Sequence, residues 1–167
     1  ETARDVADII QRGGTEIFTA RCKEFREWEY VLKAKDICVR DNFAGIVVIG
    51  GDGSFRGAAD LSKAGIPCVG LPGTIDNDIQ CSEYTIGYDT AMNTVMELVD
   101  KLRDTSHSHE RCAVVEVMGR NAGHIALNTG VACGATAILV PEIEFDIEDV
   151  IQKIKNALSL IHISEPT

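Results

Sequence analysis

Two short acidic, glycine-rich segments hold the residue types that handle phosphate. Gly50-Gly51-Asp52-Gly53-Ser54 follows the apolar run Ile46-Val47-Val48-Ile49. Pro72-Gly73-Thr74-Ile75-Asp76-Asn77-Asp78 follows Pro67-Cys68-Val69-Gly70-Leu71. Glycine lets backbone N–H groups approach a bulky anion closely. A carboxylate in such a loop repels bare phosphate, and it makes sense where it holds Mg²⁺ or accepts a proton. Asp52, Asp76 and Asp78, at the ends of two predicted strands, therefore point to metal-assisted phosphoryl chemistry. The first loop is not a Walker A loop, because the Gly-Lys-Ser/Thr ending is missing. The competing reading of Asp52 is a helix cap in a tight turn, and that of Asp76 and Asp78 an Asx-turn with a cap. In an extended loop Asp76 and Asp78 would face the same way. Like charges that close need a cation or a shared proton.

Phosphoryl transfer also needs fixed positive charge, and a bidentate guanidinium is the natural phosphate clamp. Arg21, Arg111 and Arg120 each sit at the edge of a predicted element beside small residues. Arg120, in Met118-Gly119-Arg120, stands at a strand's carboxyl end and is the first candidate among them. His124 opens the following helix and reads as a structural residue, and His107 and His109 read as loop residues.

The elements that must position these groups follow from hydrophobic periodicity. Apolar residues at helical spacing predict helices over residues 2–12, 25–40, 55–63, 90–102, 124–132 and 146–158. Gly13-Gly14 and Gly65 act as stops, and Asp146 as an N-cap. Continuous apolar runs predict strands at 46–49, 66–71, 112–117 and 137–140, of the kind buried on both faces. The alternation gives an α/β fold: three layers, a largely parallel sheet with helices on both faces. In such sheets ligands bind outside the carboxyl ends of the strands, where the glycine- and Asp-rich loops lie. Residues 159–167 break the helical pattern and read as an atypical, foreign tail after a single domain over 1–158.

The 167 residues amount to about one domain. A formal net charge of −10 argues against non-specific nucleic-acid binding, which needs a basic surface. No apolar stretch approaches the roughly 20 residues of a membrane span. The start, Glu1-Thr2-Ala3-Arg4, has no initiator Met or signal core and reads as cut from something longer. The six cysteines form no C-x-x-C pair and read as small buried hydrophobes in a reducing cytoplasm.

The two loops, together with Thr85-Ile86-Gly87-Tyr88-Asp89-Thr90-Ala91 and Val115-Glu116-Val117-Met118-Gly119-Arg120, resemble the bacterial, ATP-dependent 6-phosphofructokinases. The resemblance runs from about residue 2 to the last helix. It implies phosphorylation of fructose 6-phosphate by ATP with Mg²⁺, a glycolytic step. It makes Asp76 the base for the sugar hydroxyl, with Thr74 and Ile75 beside it. It gives Asp52 and Asp78 to the metal, and Gly51, Gly53, Ser54 and Gly57 to the ATP phosphates. Arg21 would lie between the substrates' phosphates, with Cys22 beside the nucleotide. Arg120 would stabilise the transferring group, Met118 and Gly119 would line the sugar, and Arg111 would reach a neighbouring subunit's sugar phosphate in a homotetramer. Arg103 matches an allosteric-site arginine, whereas Thr136 stands where many members carry Glu. Pyrophosphate-dependent relatives carry Asp and Lys where this chain has Gly53 and Gly73, so the glycines favour ATP. The alternatives are a pyrophosphate-dependent enzyme or an inactive regulatory subunit. The family's first glycine-rich loop falls upstream of Glu1 and part of the sugar-phosphate site beyond Thr167, so the isolated chain is expected to be inactive.

Overall fold

The computed structural model describes residues 7–16, 18–109 and 111–162, the last four by backbone only. The first helical residues expected, 2–6, and the tail beyond 162 lie outside this range. Residues 7–12, expected to continue a helix, form turns instead, with Arg12 N donating to Ile9 O and Asp8 at φ 58°. Ile10 is almost fully exposed, so this short segment lacks the packed face a brief helix needs.

The chain then enters a 3₁₀ turn, Glu24–Arg26, and helix α1, Trp28–Arg40. Strand β1, Ile46–Gly50, leads into α2, Asp52–Lys63. Strand β2, Cys68–Pro72, follows, then α3, Tyr88–Ser108; α4, His124–Ala132; and α5, Ile147–His162. The last helix has the predicted cap, Glu148 N donating to Asp146 Oδ1 at 2.9 Å. It runs through the first residues of the stretch 159–167, which were expected to break it.

β1 and β2 pair in parallel, Ile46 opposite Cys68 through Gly50 opposite Pro72. α2 crosses over between them and packs on one face, with α1 outside it. Val31 (1% exposed), Leu61 and Ala64 form the core there, backed by Phe25, Ala34, Ile46 and Cys68. The other face is open: Val47 and Ile49 are 62% and 68% exposed, and Val69 and Leu71 lie beside them. Burial on both faces, expected from the apolar runs, is thus met on one face only within the described residues.

Three helices end in the same bonded turn. Phe43 N reaches Cys38 O after α1, Ile66 N reaches Leu61 O after α2, and Ala135 N reaches Gly130 O after α4. Asn42, Gly65 and Gly134 take the left-handed position this turn requires. Two expected strands are absent. Residues 112–117 and 137–140 join no ladder among the described residues, and Val114 is 90% exposed. A β-branched run becomes a strand only when a neighbour supplies the ladder. Here the two segments face each other across a cleft of about 380 Å³. Among the described residues no helix is long and apolar enough to cross a membrane.

Candidate active site

The carboxyl ends of β1 and β2 bring the two acidic loops into contact. Gly73 N donates to Gly50 O at 3.1 Å. A Cβ placed on Gly51 would sit 3.5 Å from Thr74 Cβ, so the first loop rests against the second. Gly51 is the N-cap of α2, and Asp52 is its first residue, beside the free N–H groups of the first turn. The space around Gly53 is open to 4 Å. The Asp52 carboxylate meets Arg56 Nη2 at 2.8 Å, one turn along α2, in an exposed pair. Gly57 faces the Phe25 ring, about 3.4 Å from where a Cβ would stand, and so also has a packing role between α2 and the 3₁₀ turn.

The second loop does not run extended. Asn77 takes a left-handed φ of 53°, so the chain between Asp76 and Asp78 is bent rather than extended. Alternation along an extended chain would put them on one side, and the left-handed residue between them breaks that alternation. Asp76 N donates to Thr74 Oγ1 at 3.3 Å, while the carboxylate Oδ1 is buried without a hydrogen-bond partner. Asp78 is exposed. Buried polar atoms are nearly always paired, so a lone carboxylate oxygen beside a phosphate-type loop marks a place for a ligand proton or cation. Among the described residues no three His, Cys, Asp or Glu side chains gather as a ready-made metal cage. Mg²⁺ commonly takes only one or two protein carboxylates and completes its shell with phosphates and water, so a site there needs no such cage.

The third region is the turn that leads to Arg120. Gly119 has φ +142°, and a Cβ there would collide with Ala122 O, so only glycine suits the turn before Arg120. The side chains of Arg21, Arg111 and Arg120 are exposed and make no hydrogen bond or ion pair with described residues. Cys22 Sγ donates to Glu24 Oε2 at 3.5 Å. Arg103 donates to Cys133 O at the end of α4, a favourable place for a cation, and so caps that helix.

Several linking residues went unnoticed in the sequence. The buried Tyr88, first residue of α3, donates to His124 O at 3.4 Å and accepts from Asn128 Nδ2 at 2.7 Å, tying the start of α3 to α4. Its ring also packs edge-on to His124. Glu142 Oε1 accepts from Gly123 N at 2.7 Å, closing the N-terminus of α4. That bond, then Glu142's own N–H, hold its carboxyl below the usual range, with His124 assisting. Only the TIGYDT run around Tyr88 carried any sequence signal.

Comparison with known proteins agrees with this geometry. The family described as Phosphofructokinase matches residues 1–165. The ATP-dependent 6-phosphofructokinases of Bacillus thuringiensis (strain Al Hakam) and Bacillus anthracis (strain A0248) are each 57% identical over 150 residues, 90% of this chain and 47% of theirs. The chain thus spans about half the length of these relatives. Phosphofructokinase from Saccharomyces cerevisiae superposes with a TM-score of 0.75 at 35% identity, over 90% of this chain and 23% of that one. The T-state phosphofructokinase of Pichia pastoris gives 0.72 at 33%, over 93% and 18%. These likenesses bear out the expected α/β class, a parallel sheet flanked by helices. With adjoining acidic loops at the ends of two parallel strands and a match along nearly its whole length, this chain belongs to the phosphofructokinase family.

Proposed function

We propose that residues 1–158 form the nucleotide- and sugar-binding core of an enzyme that transfers the γ-phosphoryl group of ATP to the 1-hydroxyl of fructose 6-phosphate. Residues 159–167 lie outside that core. The observation that carries the proposal is the buried, unpartnered Asp76 Oδ1, in the loop whose Thr74 rests against the α2 N-cap Gly51. A hydroxyl donor placed there would satisfy it, and Asp76 would take the hydroxyl proton as phosphoryl transfer proceeds. Thr74 and Ile75 shape the wall around it. Gly51, Gly53, Ser54 and Gly57, with the first-turn N–H groups, would receive the nucleotide phosphates, with Arg21 and Cys22 alongside. Asp52 and Asp78 would hold Mg²⁺, which when bound neutralises charge on the phosphates. Arg120 would meet the transferring group, Met118 and Gly119 the sugar. Arg111 would serve a neighbouring subunit in a cytoplasmic homotetramer, and Arg103 an effector site.

The donor assignment rests on Gly53. Gly73 is already explained by packing, since a Cβ there would come within 2.8 Å of Ile49 Cγ2. Gly53 has open space, and leaving it open suits the larger donor.

The test is Asp76→Asn in a full-length enzyme carrying this chain's residues, assayed with ATP and fructose 6-phosphate. Loss of the base should lower kcat by about 10²–10⁴-fold. A fall of less than about tenfold removes Asp76 from that role.

A further inference from the structure

The geometry points to Asn77 as the positioning residue of the acidic loop, holding Asp76 turned inward; this rests on the reading of Asp76 as the base. Asn77 lies between two carboxylates and takes the left-handed conformation, which asparagine tolerates better than most residues. Its carboxamide is used at both ends. Oδ1 accepts from Thr85 N at 2.9 Å and from Thr85 Oγ1 at 3.3 Å. Nδ2 donates to Glu83 O at 3.2 Å. Thr85 is 4% exposed, so that end of the clamp is sheltered from water, while the bond to Glu83 is exposed. Two further contacts fasten the same pair of segments. Ile86 N donates to Pro72 O at 2.7 Å, and a Cβ on Gly87 would touch Ile75 Cγ2 at 3.4 Å.

The chemistry follows from this clamp. An extended residue at 77 would place Asp76 and Asp78 on one side, where their charges repel. The left-handed residue breaks that alternation, and Asp76 Oδ1 is buried while Asp78 is exposed. Nothing in the clamp touches the Asp76 carboxylate itself, so Asn77 acts on the backbone that carries it. Aspartate at 77 would tolerate the turn but would lose the bond to Glu83 O and bring a third negative charge. An amide is therefore the side chain that both turns the loop and leaves its charge alone.

The experiment is a double-mutant cycle in the full-length enzyme, with ATP and fructose 6-phosphate as substrates. Asn77→Gly keeps the left-handed turn and deletes all three side-chain bonds. It should lower kcat by about 10²-fold, the size expected of a misplacement near 1 Å, with KM for ATP changed less than about threefold. In an Asp76→Asn background the same change should cost less than about twofold, since a residue acting through Asp76 has nothing left to position. An equal loss in both backgrounds, or a change in KM with kcat intact, overturns the proposal. Thr85→Val, which removes only the hydroxyl donor, is the milder second variant should Asn77→Gly not fold. It should lower kcat about threefold with Asp76 present and not without it, and an undiminished kcat counts against the clamp. If Asp76→Asn alone keeps its rate, the base assignment and the clamp fall together. If Asp76→Asn loses its rate and Asn77→Gly does not, the clamp alone falls.

Discussion

Gly123 offers the sharpest test of how α4 is seated. A Cβ there would stand 2.5 Å from both Cβ and Cγ1 of Val140 and 2.8 Å from Glu142 Oε2. Comfortable carbon–carbon separations are about 3.5–4.0 Å, so Gly123→Ala must push the two segments apart by about 1 Å. Turning a side chain cannot relieve the contact, because Val140 Cβ is fixed to its backbone. Forced overpacking of this kind costs about 1–3 kcal/mol. At about 1.4 kcal/mol per tenfold, that is a roughly 5- to 150-fold loss of protection against local opening. The shift also strains the Gly123 N–Glu142 bond, which adds to the loss. Amide hydrogen exchange read by mass spectrometry on peptides covering 122–132 measures it. Gly53→Ala is the control, since beyond its chain neighbours and its own helix backbone no heavy atom lies within 4 Å of its added methyl. Protection of α4 within twofold of the parent would show that the 140–142 segment does not press on the helix, and the assigned packing would be wrong.

Two further outcomes are expected. Glu142 has a lowered folded pKa, so its stabilisation of α4 is complete above the ordinary glutamate value of about 4.3 and is lost as pH falls through the lower folded value. Exchange in the first turn of α4, corrected for intrinsic pH dependence, should therefore rise as the solution is acidified below about pH 4, and Glu142→Gln should abolish that response. Tyr88→Phe removes the phenol between Asn128 Nδ2 and His124 O, a loss of about 1–2 kcal/mol at a buried site. The thermal midpoint should drop by about 2–8 °C, and an unchanged midpoint would mean that the α3–α4 tie is idle.

Local chemistry explains what could be read in the residues alone. Glycines after apolar runs marked the loops at the ends of β1 and β2, and Gly65 marked the end of α2, because turn and cap preferences act over a few residues. Asp146 likewise announced the start of α5. What escaped depends on distant partners. The runs at 112–117 and 137–140 have strand composition but no ladder among the described residues, since pairing is decided by what lies alongside. Tyr88 and Asn128 are forty residues apart in bonding, and no periodicity announces such a pair. The extended chain assumed for Asp76 and Asp78 failed for a narrower reason: one left-handed asparagine interrupts the period-two rule.

The uncovered side of the sheet bears on the fate of the chain in a crowded solution. Val47 with Val69 and Ile49 with Leu71 make a greasy panel two residues wide and two deep, flanked by strand edges with no further strand among the described residues. Water disfavours such a panel, and an open edge offers its backbone to any passing extended segment. A free copy would therefore be a client for folding helpers and a seed for clumping. Its useful lifetime would be set by how soon something covers that panel, rather than by the strength of the small core behind it.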